Sequence, residues 1–235
     1  MIPKKIHYCW FGKNPLPKLA LKCIRSWKKY LPDYEIIEWN EDNFDVNICP
    51  YTKEAYQAKK YAFVSDYARF WILYNYGGIY FDTDVEVIKS LDKILVNGPF
   101  MACEENLPSA LSSYPLIAPG LGLAIEAHHP IYKQIIEEYN QKHFLTKDGK
   151  KNETTVVYYI TNIFIKNGLK QNSDIQKIQG ITIYPPEYFC PKSYVDRKIR
   201  ITPNTVCIHH YDGSWISKRR KFKDFIKRLI GYKKS

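Results

Sequence analysis

The sequence predicts an α/β fold with a central, mostly parallel sheet flanked by helices. Two observations indicate this fold. The N-terminal part has the pattern of a strand, a helix and a second strand, and further on a long helix leads through two glycines into a short apolar strand. Because parallel strands need a crossover connection, usually a helix, this alternation is typical of α/β proteins.

The first three elements follow from composition and spacing. Residues 4–10 have the apolar and aromatic composition of a buried strand that ends at Phe11-Gly12. Apolar residues at helical spacing predict an amphipathic helix over about 17–30, and residues 34–39 predict the next strand. Together they form the β-α-β unit.

The middle of the chain contains its most informative run. We expect helices over 51–60 and 62–76, the second ending at Gly77-Gly78, where glycine supplies a left-handed cap. Ile79-Tyr80-Phe81 then predicts a buried strand, which leads directly into Asp82-Thr83-Asp84-Val85-Glu86. Beyond it the pattern is weaker; strands are predicted at 99–103, 115–118 and 205–209, and helices at 131–139 and 156–166.

Composition sets the class of protein. With 235 residues, 45% of them hydrophobic and 25% charged, the chain fits one globular domain with a substantial core. It contains no apolar run approaching the roughly 20 residues of a membrane span, and its start lacks the features of a secretory signal. The six scattered cysteines form no C-x-x-C pair, so we expect reduced, buried thiols in a cytoplasmic protein and no zinc site.

Most of the formal net charge of +11 lies at the C-terminus. Residues 218–234 carry nine basic side chains and one acid, a balance of +8. We predict a catalytic domain over 1–215 and a basic amphipathic tail over 216–235 that lies on an anionic membrane, peripherally on the inner face of the plasma membrane. The alternative is a helix packed on its own domain with a solvated basic face. The apolar stripe of the tail consists of Phe222, Phe225, Ile226, Leu229 and Ile230.

Asp82 and Asp84 are the candidate metal ligands. In an extended segment, side chains two residues apart point to the same side. Carboxylate oxygens at a strand end suit Mg²⁺ or Mn²⁺, and ligands of open α/β sheets bind beyond the carboxyl ends of the strands. With 12 Asp in the chain, about 0.6 D-x-D matches arise by chance, so the motif gains weight only from the apolar strand before it, where unpaired acids are costly.

Asp66 and Arg69 lie three residues apart on the helix that precedes this strand, and therefore share a face. They are either a surface ion pair, which contributes little stability, or ligand-binding residues beside the same crevice. Spacing alone favours the surface pair.

Residues 65–69 and 76–84 together closely resemble glycosyltransferase family 32. That family includes fungal initiating mannosyltransferases and bacterial capsule and lipopolysaccharide sugar transferases, and it is similar to the clostridial glucosylating toxins. Residues 2–12 resemble the first strand of the family and residues 208–215 its closing motif. These matches occur in the family's order and extend over most of the chain.

The resemblance implies a GT-A-type fold and a retaining, metal-dependent transferase. It would move a hexose from a nucleotide sugar, a UDP-hexose or secondly GDP-mannose, to a glycan or lipid-linked acceptor in surface polysaccharide synthesis. The expected cofactor is Mn²⁺ or Mg²⁺.

The resemblance also assigns roles to residues that bind the donor. Trp10 would stack on the base, and Asp66 and Arg69 would bind the donor sugar. Tyr80 and Asp82 would contact ribose, the sugar or waters of the metal. Without the family, the position of Trp10 after a strand favours a place in the core.

A second group would hold the metal and the diphosphate. Asp84 would be a direct metal ligand, and one of His209 and His210 a metal or phosphate contact, although the motif does not choose between them. Ser214 and Trp215 would touch the diphosphate. The two histidines also fit a packed strand end.

Three further features stay open. Residues 104–122 match the family too weakly to transfer an acceptor-side residue, and no catalytic base is assigned, which agrees with retention. Glu104-Glu105 fits either the cleft or a solvated loop, and His128-His129 a helix start or a surface feature.

Two rival functions predict different sequence features. A nucleotide-sugar pyrophosphorylase or phosphoryl transferase should carry a glycine-rich phosphate loop near the N-terminus, and none is present. A nucleic-acid-binding module should spread basic residues over a folded face. Here the basic residues are concentrated in the C-terminal tail, so no nucleic-acid partner is expected.

Overall fold

The computed structural model describes residues 1–105, 111 and 113–213. The basic tail, and with it the predicted domain boundary after residue 215, lies outside these residues and remains a prediction. Within the described part of the chain, no helix has the length and apolar character to span a membrane. All six cysteines are free and buried, as the sequence predicts.

The β-α-β opening is present. β1 (Lys5–Cys9) and β2 (Glu35–Trp39) pair in parallel, from Lys5 opposite Glu35 to Cys9 opposite Trp39, and α1 (Lys18–Tyr30) connects them. The helix buries Cys23 and Trp27, and the Trp27 indole N–H donates to the carbonyl of Val85 at 2.8 Å. Burying so large a side chain with its N–H satisfied fixes α1 against the sheet.

The central helix and strand are also as predicted. α2 (Pro50–Gln57) and α3 (Tyr61–Tyr76) precede β3 (Gly78–Tyr80), which pairs in parallel with β1. Gly77 ends α3 at φ 61°, and Gly78 has φ 103°. A Cβ on Gly78 would lie 2.7 Å from the carbonyl oxygen of Lys5, so the glycine lets β3 reach the sheet immediately after the helix.

The remaining elements include several short ones that sequence patterns did not predict. The predicted strands and helices beyond residue 90 are all present, whereas β4, α4, β7, β8, β9 and α7 are additions. In order, the elements are β4 (Val85–Val87), α4 (Asp92–Leu95), β5 (Phe100–Glu104), β6 (Leu116–Ile117), β7 (Leu123–Ile125), α5 (Pro130–Asn140), α6 (Val156–Lys166), β8 (Gln176–Ile178), β9 (Ile181–Tyr184), α7 (Pro186–Phe189) and β10 (Cys207–His209).

Among the described residues, eight strands form the main sheet in the order β2-β1-β3-β7-β5-β9-β8, with β6 paired to β5. β1, β2, β3, β5 and β9 share one direction, since β7 is antiparallel to both β3 and β5 and β9 is parallel to β5. The mostly parallel sheet is therefore confirmed. β4 and β10 form a separate antiparallel ribbon.

Alternating side chains place a hydrophobic cluster on each face of this sheet. Ile6 and Tyr8 of β1 join the cluster that contains Trp27, whereas Cys9 joins the cluster packed by α3 and α5. Because β1 and β3 run in parallel, their carboxyl ends meet at one edge, where Trp10 and Asp82 follow them.

Candidate active site

The acidic motif forms a turn between β3 and β4. The Val85 N–H donates to the carbonyl of Asp82 at 3.0 Å, and the Asp82 N–H donates to the carbonyl of Gly120 at 3.0 Å. The backbone of residues 82–84 is therefore a turn, and the expectation of an extended segment is wrong. We call residues 82–84 the acid turn.

Asp82 belongs to a buried polar cluster with the preceding helix. Arg69 Nη2 lies 3.2 Å from Asp82 Oδ1 and 3.0 Å from Asp66 Oδ1, and the Tyr80 hydroxyl donates to Asp82 Oδ1 at 3.1 Å. Arg69 is only 3% exposed and Asp66 8%. The surface ion pair favoured by spacing is thus wrong: the helix face lies under the acid turn, and one guanidinium bridges both carboxylates.

Burial shapes the protonation of this cluster. Burial raises the pKa of Asp66, an effect that the charge of Arg69 only partly offsets. Burial alone would lower the pKa of Arg69, but the negative charges of Asp82 and Asp66 raise it above its usual range. Arg69 is therefore a permanent cation that orients Asp82.

Gly120 is a site residue that the sequence analysis missed. A Cβ at this position would lie 2.0 Å from Asp82 Oδ2. The loop before β7 thus covers the Asp82 carboxylate so closely that only glycine fits without moving it. Nothing in the residues around Gly120 signals this contact, because it depends on two segments far apart in sequence.

Asp84 has different partners from Asp82. Its Oδ1 lies 3.3 Å from His209 Nε2, and its Oδ2 accepts from the Asp212 N–H at 2.8 Å. Burial would raise the pKa of Asp84, but His209 and the Asp212 N–H lower it to about 2. Burial would likewise lower the pKa of His209, whereas the Asp84 carboxylate raises it to about 10.

The structure separates the two adjacent histidines. His209 contacts Asp84, whereas His210 Nε2 lies 2.8 Å from Glu86 Oε2. Lys22 Nζ also lies 2.7 Å from Glu86 Oε2. His209 is therefore the histidine whose side chain contacts the acid turn, whereas the His210 side chain contacts Glu86 of β4.

Trp10 is half-buried at the carboxyl end of β1. Its indole N–H donates to the carbonyl of Asn14 at 2.6 Å, and its backbone N–H to the carbonyl of Trp39 at 2.8 Å. The ring packs at the margin of a core cluster and keeps part of its surface exposed. This position is compatible with stacking, and it differs from the fully buried place that its sequence context alone favoured.

Glu104 is the last residue of β5, and Glu105 follows it. Burial raises the pKa of Glu104 to about 7, and the positive charge of His209 opposes this rise. Glu105 accepts from the Ser193 hydroxyl at 3.2 Å and the Tyr194 N–H at 2.8 Å. Because Glu104 ends β5 and Glu105 is hydrogen-bonded to Ser193 and Tyr194, the solvated-loop alternative does not hold.

Other predicted features lie elsewhere. His129 starts α5, where its side chain accepts from the Ile131 N–H at 3.4 Å, so the histidine pair is the helix-start feature that the sequence indicated. Ser214 and Trp215 fall outside the described residues, so their predicted diphosphate contacts remain predictions.

The donor atoms at the acid turn fit a divalent cation shared with a substrate. Within the described ranges, no group of three or more His, Cys, Asp and Glu side chains could hold a metal by itself. Mg²⁺ is commonly bound by one or two carboxylates plus phosphate oxygens and water, which the ionised Asp84 beside Asp82 satisfies.

Comparison with known proteins identifies this part of the chain. Residues 17–101, which include Asp66, Arg69 and the acid turn, match the family model described as "Glycosyltransferase sugar-binding region containing DXD motif". This segment is similar to the sugar-binding region of DXD-containing glycosyltransferases. The family resemblance predicted from the sequence is thereby confirmed.

Curated relatives of this glycosyltransferase region occur in fission yeast. The chain is 35% identical to Schizosaccharomyces pombe "Inositol phosphoceramide mannosyltransferase 3" over 98 residues, covering 40% of this chain and 27% of the relative. It is 27% identical to "Inositol phosphoceramide mannosyltransferase 1" of the same yeast over 157 residues, covering 61% and 45%. The chain therefore spans less than half of the length of these two relatives.

A solved structure shows the same fold. The "crystal structure of a glycosyltransferase involved in the glycosylation of the major capsid of PBCV-1" matches 96% of this chain and 100% of that chain, with a TM-score of 0.50 and 14% identity. The GT-A-type fold predicted from the family resemblance is confirmed.

Proposed function

We propose that the protein is a metal-dependent glycosyltransferase that moves a hexose from a nucleotide sugar to a glycan or lipid-linked acceptor, with retention of anomeric configuration. The observation that carries the proposal is the acid turn held between Arg69 and His209 inside a glycosyltransferase sugar-binding region. The match of residues 17–101 to that family model favours a transferase over a pyrophosphorylase, a phosphoryl transferase or a nucleic-acid-binding module.

Asp84 and Asp82 have different roles in this proposal. Asp84 would hold Mn²⁺ or Mg²⁺ together with the donor's phosphates, and His209 would join as a ligand only after losing the proton that the Asp84 carboxylate stabilises. The cation would neutralise charge that grows on the leaving diphosphate. Asp66 and Arg69 fix Asp82 for contact with the sugar or ribose. The exposed part of the Trp10 ring offers a stacking surface for the base, so the donor is oriented before transfer.

The donor is a UDP-hexose or GDP-mannose. Two relatives are named mannosyltransferases, which supports mannose as the transferred sugar. Metal-dependent hydrolysis of a panel of UDP- and GDP-sugars by the purified protein identifies the donor. A panel in which no nucleotide sugar is consumed contradicts the proposal.

Donor binding is expected to stabilise the protein only when metal is present. Saturating UDP or GDP with Mn²⁺ should raise the melting temperature by about 5 °C or more, because the nucleoside diphosphate binds the folded state through the cation. EDTA should remove the shift. Equal stabilisation by a DNA or RNA oligonucleotide, with none by either diphosphate, would instead favour the nucleic-acid-binding module.

The acceptor is expected to approach past Glu104. A cavity of about 600 Å³ opens there, lined among others by Glu104, Glu187, Cys190, Arg200 and Thr202. Glu104, Glu187, Arg200 and Thr202 supply the polar groups that would bind sugar hydroxyls. Glu104 supplies an acid near His209 on this side, although retention does not require it as a base.

We further propose that the protein acts in surface polysaccharide synthesis, such as that of capsule or lipopolysaccharide, peripherally on the inner face of the plasma membrane through residues 218–235. Deleting these residues is expected to weaken binding to anionic vesicles by at least about a hundredfold, because each of the nine basic residues contributes up to about 1 kcal/mol near a charged surface. Vesicle co-sedimentation measures this. The truncated chain should keep its UDP or GDP response with Mn²⁺, and unchanged vesicle binding refutes the role of the tail.

A further inference from the structure

A hairpin between α7 and β10 lies against the segment that holds Asp84. Residues 191–200 form this hairpin; its backbone bonds include the Ser193 N–H to the Lys198 carbonyl at 2.9 Å. Glu105 anchors it to β5 by accepting from Ser193 and Tyr194. We call residues 191–200 the cationic hairpin, since four of them are Lys or Arg and one is Asp.

Two of its cations converge on the chain that follows β10. Lys192 Nζ donates to the carbonyl of His210 at 2.7 Å. Arg197 Nη2 donates to the carbonyls of His210 at 3.4 Å and Tyr211 at 3.2 Å, and its guanidinium lies 5.5 Å from the centre of the Tyr211 ring. The two side chains therefore come together from opposite strands of the hairpin.

These carbonyls belong to the segment that encloses Asp84. The His210 N–H donates to the Asp84 carbonyl at 3.0 Å, and the Asp212 N–H donates to its carboxylate at 2.8 Å. The cations are thus separated from the candidate metal ligand by a single stretch of backbone. Arg197 and Tyr211 both have positive φ, 62° and 53°, a costly conformation for such residues that persists where the surroundings impose it.

Lys192 and Arg197 both donate to the carbonyl oxygen of His210, so two positive charges lie close together and need a negative charge nearby. The pKa of Lys192 is lowered by burial and by the charge of Arg197, and Asp84 and Asp212 only partly offset this. If Asp84 binds a divalent cation, the negative charge of the Asp84 carboxylate no longer balances the positive charges of Lys192 and Arg197. A Lys ammonium has three donors and an Arg guanidinium five, so both retain hydrogen-bonding capacity for an anion after binding these carbonyls.

We propose that Lys192 and Arg197 bind the diphosphate of the nucleotide-sugar donor and retain the nucleoside diphosphate as it leaves. This inference rests on the proposed function. In the transfer, the bond between the anomeric carbon and the β-phosphate oxygen breaks, and its electron pair stays on the phosphate. The acceptor hydroxyl oxygen bonds to the same carbon, and its proton passes to the departing phosphate. Lys192 and Arg197 stabilise the charge that the phosphate gains.

Calorimetric titration of the full chain with UDP, UMP, GDP and GMP in the presence of Mn²⁺ tests the proposal. For the base that binds, Lys192→Met and Arg197→Met are each expected to weaken diphosphate binding by roughly tenfold or more, and monophosphate binding by about threefold or less. The charge-retaining Lys192→Arg should recover most of the affinity. Lys198→Met is the matched control, because Lys198 lies in the same hairpin and is exposed; it should bind like the parent.

The outcomes separate this inference from the proposed function. If the parent binds diphosphate and transfers sugar but both Met variants bind diphosphate like Lys198→Met, the hairpin does not bind phosphate and the function stands. Equal losses for diphosphate and monophosphate also overturn the inference, since they indicate that the cations only position residues 209–212. If the parent binds neither diphosphate, both proposals fail together.

Discussion

Replacing Asp84 with asparagine is expected to lower sugar transfer by roughly a thousandfold or more while leaving the fold intact. The Asp84 carboxylate is ionised over the physiological range, because His209 and the Asp212 N–H lower its pKa to about 2 in spite of burial. A carboxamide cannot offer a charged oxygen to a divalent cation. It does keep a carbonyl oxygen for the Asp212 N–H, so the ribbon of β4 and β10 should persist.

Three measurements on Asp84→Asn separate chemistry from folding. Steady-state kinetics should show the loss, the thermal shift with nucleoside diphosphate and Mn²⁺ should disappear, and the circular dichroism spectrum should match the parent. Asp33→Asn is the matched control, since the Asp33 side chain is 75% exposed and pairs only weakly with Lys4 at 3.4 Å. Near-normal turnover by Asp84→Asn contradicts the assignment of Asp84.

The acid turn shows how far the sequence alone leads. An apolar strand that runs into two acids predicts correctly that Asp82 and Asp84 lie at the carboxyl edge of the sheet. It does not predict that the two carboxylates have different partners, because this depends on the turn into β4. That turn exists because β4 pairs with β10, some 120 residues later in the chain.

The same limit applies to Asp66 and Arg69. Helical spacing predicts their contact, and the structure confirms it at 3.0 Å. Their burial could not be predicted, because it results from packing beneath Asp82. The close approach of Gly120 to Asp82 likewise joins two segments that no local pattern relates.

Short elements escaped prediction for a different reason. β8 and β9 contain three and four residues, too few for alternation of polar and apolar side chains to stand out. The cationic hairpin follows them and is held by isolated hydrogen bonds. Its basic residues therefore have no sequence signature beyond their charge, and only the fold brings Lys192 and Arg197 to the backbone around Asp84.

The second large effect is expected on stability. Arg69→Met should reduce the free energy of unfolding by about 3–5 kcal/mol at neutral pH, because it leaves the Asp66 carboxylate buried without its cation. The deficit should shrink as the pH falls: burial already raises the pKa of Asp66 in the folded protein, and losing Arg69 raises it further. The folded variant therefore binds a proton that the unfolded chain releases more readily, and acid favours the folded state.

Urea unfolding at neutral and mildly acidic pH measures this difference, and two variants sharpen it. Arg69→Met combined with Asp66→Asn should recover much of the stability, since no charge is then buried alone, but should not recover transfer, because Asp82 has lost the cation that orients it.

Arg200→Met is the matched control: it breaks an Arg–Asp pair with Asp196 in which Arg200 is 60% exposed, so it should cost less than about 1 kcal/mol. A cost for Arg69→Met no larger than that of Arg200→Met would mean that the buried cation does not join α3 to the acid turn, and donor binding at Asp82 would then need another explanation.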